Sequence, residues 1–378
     1  MKKIIYCTPS LYIPGGVERV LTTKANYMAE VAGYDVTIVL TDGKGKAPYY
    51  PLSPKVHIVQ LDIRFEELWH LSFLQKIPVY LKKQCAYRKK LTATLMELKP
   101  DITVSLLRRE INFITSIKDG SKKIGEIHIN RAHYRNFEKE NSNFIKSFFA
   151  NFWQKQLLAQ LKKLDRFVVL TQTDKDSWKE LENTIVIPNP IAHFPSKTSV
   201  LENKQVISVG RYAHEKGFDM LIECWKLVHE KHPDWILKIY GIDNVKFLQP
   251  IIVKNELEHT IIPMESTPRI YDAYQESSIY VCSSRFEGFG MTLVESMSCG
   301  LPCVSFDCPH GPRNIITDGK NGYLVEPENI EALAERICQL IENEELRKEM
   351  GKEARKRAED FAEEKIMCQW VDLFENIS

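Results

Sequence analysis

Two carboxylates flank a glycine-containing loop in the stretch RFEGFGMTLVESMSCGLP. Glu287 precedes the loop Gly288–Gly290, and Glu295 follows in a pattern that predicts a helix from about Gly290 to Gly300. The first N–H groups of a helix are unpaired and lie at the positive end of its dipole, so a phosphate or diphosphate binds there readily. Glu295 would lie about five residues into the helix, ~7–8 Å along its axis, where a carboxylate suits a pair of ribose hydroxyls. The alternative is a simple turn between two surface carboxylates.

Two cations stand in a second stretch, VGRYAHEKGFDML. Arg211 and Lys216 follow the predicted strand QVISVG and precede a predicted helix that begins near Phe218. Open α/β sheets bind their ligands at the carboxyl ends of such strands. An Arg fork and a Lys point charge can together neutralise a diphosphate. The alternative is a pair of solvated cations in a loop.

Adjacent glycines mark a third junction, in TPSLYIPGGVERVL. Gly15 and Gly16 lie between the predicted strand KIIYCT and a helix that begins near Val17, where bare amides again favour an anion. A Gly-Gly pair by itself is equally typical of an ordinary tight turn.

An alternation of strands and helices positions these motifs along the whole chain. Short β-branched runs predict strands and the longer stretches between them predict helices, which is typical of βαβ units in parallel sheets. The predicted strands are KIIYCT, DVTIVL, HIVQL, DITVSLL, KIGEIHI, RFVVLT, QVISVG, ILKIYG, TIIPM, IYVCSS, PCVSF and GYLV. The predicted helices are 17–32, 80–98, 174–182, 217–231, 267–276, 290–299 and 329–342.

A linker divides the chain into two predicted α/β units. Residues 187–204 carry three prolines and no helical periodicity, and the strand QVISVG follows directly. The length of 378 residues is typical of two domains. We therefore expect an N-terminal domain over 1–190 and a C-terminal domain over 191–358. A last helix over 359–378 has no strand after it and could pack back on the N-terminal domain.

Several motifs follow one another in a fixed order. After the Gly-Gly loop come G-R-x-x-x-x-K-G, F-E-G-F-G with Glu eight residues on, P-x-V-x-F-D, and D-G-x-N-G-Y-L-V. This order resembles glycosyltransferase family four over nearly the whole chain, most specifically in residues 208–326. The resemblance implies an α/β protein of the GT-B fold, with two Rossmann-like parallel-sheet domains that face each other across a cleft.

The resemblance also implies roles for the residues in these motifs. Glu287 would contact the transferred sugar, and Glu295 the ribose of the donor nucleotide. Two cations and several backbone amides would hold the donor's diphosphate; they belong to Arg211, Lys216, Gly15, Gly16, Gly288, Phe289 and Gly290.

A histidine completes the candidate site. Family members often carry one at the end of a strand in the N-terminal domain, near the reacting centre. His128 in KIGEIHIN fits that place and joins Glu287 as a candidate catalytic residue, while His133 in RAHYRN is the competitor. The alternative is a histidine that makes only local hydrogen bonds.

By this resemblance the chain is a retaining glycosyltransferase. It would move a sugar from a UDP- or GDP-sugar to a glycan or polyprenyl-linked acceptor, in surface polysaccharide or glycolipid synthesis. Breaking the anomeric bond leaves negative charge on the diphosphate, which fixed cations and helix N-termini stabilise. We therefore expect no cofactor and no obligatory metal. A nucleotide-sugar epimerase on the same fold and a catalytically silent partner subunit are the alternatives.

Composition argues against several other classes of protein. Lys and Arg number 51 against 50 Asp and Glu, and a net charge of +1 does not suggest a nucleic-acid-binding protein. No apolar run approaches the ~20 residues of a membrane span. The N-terminal apolar run stops at Pro9, too early for a signal peptide. The nine cysteines are dispersed, which favours reduced thiols and a cytoplasmic location.

A D-x-D sequence, Asp174-Lys-Asp176, resembles the metal–nucleotide motif of another glycosyltransferase fold. It lies just after a predicted strand, where a helix begins. Acidic residues in the first turn complement the helix dipole, with Thr173 as the predicted N-cap. We interpret it as a helix start.

Three cysteines and a histidine form a second cluster that could suggest a metal; they are Cys299, Cys303, Cys308 and His310. Their spacing matches neither common zinc pairs nor ferredoxin sequences. We interpret these cysteines as small buried apolar residues.

Two stretches, 65–98 and 143–163, combine aromatic and aliphatic residues with lysines. A basic aromatic helix can lie in a membrane interface. It can equally face the protein core while its lysines extend to solvent. The first alternative would place the protein at the inner face of the cell membrane and would suit a lipid-linked acceptor.

Overall fold

The computed structural model describes residues 1–131, 134, 154–242 and 245–377, and the chain divides into two compact units. Unit 1 comprises Met1–Pro188 and Ile366–Ser378, and unit 2 comprises Asn189–Lys365. The polypeptide therefore leaves unit 1, builds the whole of unit 2, and returns to unit 1 with its last helix.

Unit 1 is built on a parallel sheet of seven strands in the order β3-β2-β1-β4-β5-β6-β7. The strands are β1 (Lys3–Thr8), β2 (Asp35–Leu40), β3 (Val56–Gln60), β4 (Ile102–Ser105), β5 (Lys122–Glu126), β6 (Arg166–Val169) and β7 (Thr184–Val186). The central strands are buried apolar runs, as expected of a sheet covered on both faces. The sequence does not predict β7, because three residues are too short a run to recognise.

The helices of unit 1 lie between these strands. They are α1 (Gly16–Glu30), α2 (Phe73–Leu98), α3 (154–161 within the described residues) and α4 (Gln172–Ser177). Helix α2 begins earlier than the predicted residue 80, because Ser72 and Gln75 form a capping box ahead of Pro78. The helix continues through Pro78, which costs it one N–H donor.

Unit 2 is built on a parallel sheet of six strands in the order β10-β9-β8-β11-β12-β13. The strands are β8 (Gln205–Val209), β9 (Ile236–Gly241), β10 (Ile261–Glu265), β11 (Ile279–Cys282), β12 (Cys303–Phe306) and β13 (Gly322–Val325). The predicted fold class, two α/β domains with parallel sheets, is confirmed.

Helices pack against the sheet of unit 2. They are α5 (Phe218–Lys231), α6 (Gln249–Lys254), α7 (Ile270–Gln275), α8 (Met291–Ser298), α9 (Ile330–Glu342) and α10 (Glu344–Ala358). The sequence does not predict α10, because charged residues obscure its apolar side. The side chain of Asn343 caps it by accepting from the amide of Leu346 at 2.9 Å.

The last helix, α11 (Glu363–Asn376), contributes apolar side chains to the core of unit 1. Trp370 and Phe374 are almost completely buried there, in one cluster with Ile4 and Tyr6 of β1 and Leu21 of α1. Unit 1 therefore has a core made from both ends of the chain. Among the described residues, we find no helix with the length and apolar character needed to span a membrane.

Candidate functional site

The strand order of unit 2 reverses direction between β8 and β11. Open α/β sheets bind ligands at such a point, outside the carboxyl ends of the strands. The loop after β8 carries Arg211 and Lys216, and the loop after β11 carries Ser284 and Glu287. Two of the three sequence motifs therefore meet at one edge of a single sheet.

Lys216 and Glu287 form an ion pair at this edge. The ammonium nitrogen of Lys216 lies 2.6 Å from Oε1 of Glu287, and the hydroxyl of Ser284 donates to the same oxygen at 2.7 Å. Glu287 is only 8% exposed. Burial by itself would lower the pKa of Lys216, but the Glu287 carboxylate raises it above its usual value. Lys216 is therefore a fixed cation near neutral pH, and its partner carboxylate has a fixed orientation.

Glycines let the segments that carry this pair approach closely. Gly217 has a φ of +61°, and a Cβ atom there would lie 2.1 Å from the backbone oxygen of Ser283. A Cβ atom on Gly311 would lie 2.7 Å from Cβ of Glu287. A side chain at either position would displace Lys216 or Glu287, so both positions require glycine.

The loop Gly288–Gly290 leads into α8, as the sequence predicts. Gly290 is the N-cap residue, with a φ of +100°, and no side chain caps this helix. Its first amides are therefore available to an anion. Phe289 is buried and packs against Phe361 with ring centroids 5.5 Å apart, which anchors the loop. Glu295 lies on α8 and is also buried, at 3% exposed.

Arg211 extends to the surface. Its side chain is 62% exposed and pairs with Glu215, four residues later. An exposed pair of this kind contributes little stability, so another anion can replace Glu215 at small cost. The role of Arg211 as a diphosphate ligand stays a prediction.

His128 lies in unit 1, just beyond the end of β5 at Glu126. Its side chain is 7% exposed, and Nε2 lies 3.2 Å from Oε1 of Glu126. The other carboxylate oxygen of Glu126 pairs with the ammonium of Lys24 in α1. His133, the competing histidine, lies outside the described residues.

The Lys24–Glu126 pair is a feature that the sequence motifs miss. Both side chains are 1% exposed. Burial by itself would raise the pKa of Glu126, but Lys24 and His128 lower it to about 2. One signal was available, since Lys24 falls on the apolar stripe of α1 between Leu21 and Met28. A charged residue at such a position requires a buried partner.

The Gly15–Gly16 pair begins α1, as predicted. A Cβ atom on Gly15 would lie 2.1 Å from Oε2 of Glu18, so this carboxylate covers the start of the helix. Burial raises the pKa of Glu18, although its own amide, Arg108 and His128 oppose the shift. An anion that binds the Gly16 amide has to displace the Glu18 carboxylate or tolerate it nearby.

The D-x-D sequence has a structural role in α4. Asp174 is buried, and its carboxylate accepts from the amide of Arg131 at 3.1 Å. The predicted cap is wrong by two residues: Thr171, not Thr173, accepts from the amide of Asp174, because α4 begins at Gln172. In the part of the chain that the structure describes, no group of three His, Cys, Asp or Glu side chains could hold a metal ion.

The cysteine cluster is buried. Cys299, Cys303 and Cys308 are each completely buried. Burial raises the pKa of Cys299 and of Cys303 to about 12, so both remain neutral thiols. These residues act as small apolar groups around β12.

Comparison with known proteins relates the chain to sugar-transferring enzymes. Residues 191–357 match the family model of glycosyl transferases group 1. An uncharacterized glycosyltransferase of Haemophilus influenzae is 30% identical over 386 aligned positions, which cover 99% of this chain and 100% of that protein. The poly(ribitol-phosphate) alpha-N-acetylglucosaminyltransferase of Staphylococcus aureus is 31% identical over 265 positions, 67% of this chain and 51% of that protein. The match thus spans about half the length of the staphylococcal relative.

A solved structure has the same fold. The pneumococcal O-GlcNAc transferase GtfA, in complex with UDP and GlcNAc, superposes with a TM-score of 0.76 at 16% identity. The match covers 100% of this chain and 99% of that one. It supports the arrangement of strands and helices described above.

The close approach at Gly217 gives a stability prediction. Gly217→Ala places a methyl group against the Ser283 oxygen and also strains a positive φ. We expect a loss of about 1–2 kcal/mol from the backbone and a further loss of about 1–3 kcal/mol from the clash. Urea titration of the purified variant measures the sum.

Gly319 is the matched control, because its φ is +72° and nothing lies within 4 Å of the position that a Cβ atom would take there. Gly319→Ala should lose only the backbone contribution. Equal losses in the two variants would contradict the close approach of Gly217 to Ser283.

Proposed function

The chain belongs to the group 1 glycosyl transferases, and we propose that it transfers a sugar from a nucleoside diphosphate sugar with retention of the anomeric configuration. The Lys216–Glu287 pair carries this proposal. It sets a fixed cation and a fixed carboxylate directly before the loop whose amides begin α8. A protein that only binds nucleotides would need the cation and the amides, but it would not need the oriented carboxylate of Glu287.

Each group supplies a different part of the chemistry. Breaking the anomeric C–O bond leaves negative charge on the diphosphate and positive charge on the sugar. We assign Glu287 to the transferred sugar, Glu295 to the ribose, and His128 to the reacting centre. The diphosphate is assigned to two cations and to backbone amides, those of Arg211, Lys216, Gly15, Gly16, Gly288, Phe289 and Gly290.

We propose a UDP-sugar as the first donor to test, with a GDP-sugar second. The solved structure of the pneumococcal transferase holds UDP, which supports this order. We propose a glycan or polyprenyl-linked acceptor in surface polysaccharide or glycolipid synthesis. The staphylococcal relative, which is named for transfer to poly(ribitol-phosphate), supports an acceptor of this kind.

We propose a cytoplasmic location, because all nine cysteines are free thiols. Seven of them are buried and two, Cys85 and Cys368, are exposed. Free exposed thiols are stable in a reducing compartment.

We further propose that unit 1 contacts the inner face of the membrane through α2. Tyr87, Leu91 and Leu95 on the C-terminal half of α2 are buried in the core. The N-terminal half instead exposes Ile77 at 47% and Leu81 at 57%. The C-terminal half of α2 therefore faces the protein core, and the N-terminal half has the exposed apolar side chains of a membrane-interface helix.

Basic residues surround these exposed apolar side chains. Helix α2 carries six basic residues and one acidic residue. Trp69, just before the helix, is 67% exposed. Apolar groups within a basic surface favour an anionic lipid bilayer. We call this set the α2 surface; it consists of Trp69, Ile77, Leu81, Lys82, Arg88 and Lys89. The other predicted membrane stretch, 143–163, lies outside the described residues up to position 153.

The donor can be identified by thermal shift with a panel of UDP- and GDP-sugars, since a ligand at about 100 times its Kd stabilises the folded state by about 2.7 kcal/mol.

With that donor, Glu287→Ala should lower kcat by about 100-fold or more, because the carboxylate acts where charge develops. Glu295→Ala should mainly raise KM, because ribose contacts are the same in the ground and transition states.

Glu287→Gln is the matched variant, because it keeps the size of the side chain and an oxygen that can accept from Lys216 and Ser284, while it removes only the negative charge. Urea titration measures the stability that Lys216 loses with its counter-charge. The variant should still lose turnover. Equal and small losses in the Glu287 and Glu295 variants would contradict the roles proposed for them. An isomerised sugar without released nucleotide would indicate an epimerase.

The proposed reaction needs no metal, because two cations and the amides of α8 balance the leaving diphosphate. We expect dialysis against EDTA to leave the initial rate unchanged within about twofold, where loss of an essential Lewis acid would cost several kcal/mol. A rate lost in EDTA and restored by manganese would refute this part of the proposal.

The α2 surface predicts binding to vesicles that contain phosphatidylglycerol. In flotation assays we expect the double variant Ile77→Glu and Leu81→Glu to bind about tenfold less, since it loses apolar burial and adds negative charge. Val253→Glu, at a position 48% exposed on α6 of unit 2, is the control and should bind like the wild type. Wild-type binding that is equal for neutral vesicles, or absent, would refute this surface.

A further inference from the structure

An ion pair without access to water lies in unit 1 next to His128. Lys24 and Glu126 are each 1% exposed, and they come from α1 and from the last residue of β5. Buried ion pairs are seldom stabilising, because removing two charges from water costs about as much as their attraction returns. We therefore look for a role of the Lys24–Glu126 pair other than stabilising the fold.

Aromatic rings complete the surroundings of the ammonium. The Nζ atom of Lys24 lies 3.8 Å from the ring centroid of Trp370 in α11 and 5.4 Å from that of Tyr6 in β1. A cation over an aromatic face is attracted by the ring quadrupole. The ammonium is therefore held from three directions, by Glu126, Trp370 and Tyr6, and it fixes the Glu126 carboxylate in turn.

The backbone that carries Glu126 is equally constrained. Strand β5 lies between β4 and β6, and Glu126 pairs with Val168 of β6. A Cβ atom on Gly125 would lie 2.6 Å from Leu164 and 2.9 Å from Leu107, so the strand is packed closely at this point. A carboxylate on this backbone has little freedom to move.

The second oxygen of the Glu126 carboxylate, Oε1, lies next to His128. Oε1 of Glu126 lies 3.2 Å from Nε2 of His128, whose side chain is 7% exposed. A carboxylate beside Nε2 favours the tautomer in which Nε2 carries the proton, and Nδ1 then keeps its lone pair. Within the described residues, both ring nitrogens of His128 are buried and neither makes a hydrogen bond of good geometry, so the 3.2 Å approach of Glu126 to Nε2 acts through its charge. Nδ1 is the nitrogen that remains for a ligand. A hydroxyl group of a ligand would satisfy it.

We propose that Glu126, held in place by Lys24, is a positioning residue that sets the tautomer and the orientation of His128. The inference rests on the proposed function, in which His128 lies at the reacting centre. Glu126 then acts only through the imidazole and touches neither donor nor acceptor. Lys24 acts one step further away, because it fixes and neutralises the carboxylate. Glu18 is another charged group that interacts with His128.

The test is a double-mutant cycle with paired substitutions. Glu126→Gln alone would leave Lys24 buried without a counter-charge and could unfold the protein, so Lys24→Met accompanies it. Rates of UDP release are measured with UDP-N-acetylglucosamine and UDP-glucose as probes. We expect the pair of substitutions to lower kcat about tenfold, by analogy with the partners that orient metal-binding histidines, whose removal costs about 10–100-fold.

The same pair of substitutions is then made in a His128→Ala background. We expect it to cost less than about twofold there, because residues that act as one unit are not additive. An equal loss in both backgrounds would mean that the pair supports the fold and not the histidine, and it would overturn the proposal.

A second buried pair of the same unit is the matched control. Lys123 and Asp119 are 7% and 0% exposed at the side chain, and they lie at the opposite end of β5 from His128. The variant Lys123→Met with Asp119→Asn removes a comparable ion pair. It should leave kcat unchanged within about twofold, and a tenfold loss there would overturn the specific role of Glu126.

Nitrogen NMR separates this inference from the proposed function, because it needs no turnover. Histidines labelled with ¹⁵N report which ring nitrogen carries the proton, and a His128→Gln spectrum assigns the signal. We expect the Nε2–H tautomer in the wild type and a mixture of tautomers in the Lys24→Met and Glu126→Gln variant. An unchanged tautomer overturns the inference, even if sugar transfer is observed. The expected change supports it, even if neither probe is turned over.

Discussion

The geometry of unit 2 depends on one contact, the Lys216–Glu287 ion pair with Ser284 as its third member. The two charges come from loops that follow different strands, so they meet only when β8 and β11 are paired in register. Burial makes each charge costly without the other. The pair therefore links correct folding of the sheet to assembly of the site, and a misaligned sheet would also lack a site.

The rest of the site is arranged around that contact by close packing. Gly217 and Gly311 let two loops touch where a side chain would separate them. Phe289 anchors the loop before α8 on Phe361, which keeps the helix start open to an anion. Unit 1 contains a similar arrangement of different residues. Its buried carboxylate, Glu126, also pairs with a lysine, and its third member is His128, whereas the third member in unit 2 is Ser284. Both units thus place an oriented acid beyond the end of a central strand or at its last residue.

Local patterns in the sequence predict much of this arrangement. The strand before Lys216, the glycine loop and the start of α8 near Gly290 are short-range features, and the structure has them where predicted. The Lys24–Glu126 pair could not be predicted as a pair, because its partners are joined only by the packing of α1 on the sheet. The cap of α4 was misplaced because Thr171 and Thr173 are both typical N-caps, and only the backbone hydrogen bonds decide between them. Helix α10 was missed because its buried side includes Arg347, a residue that patterns classify as exposed.

The return of α11 to unit 1 has a consequence for how the protein is made. Trp370 and Phe374 belong to the same cluster as the first strand, so one of the two apolar clusters of unit 1 lacks these side chains until the last helix has been synthesised. Unit 2, whose residues run from Asn189 to Lys365, is complete before then. Domains usually acquire structure in the order of their synthesis. Here the whole sequence of unit 2 is available before that of unit 1, because unit 1 needs the last helix to complete one of its two apolar clusters.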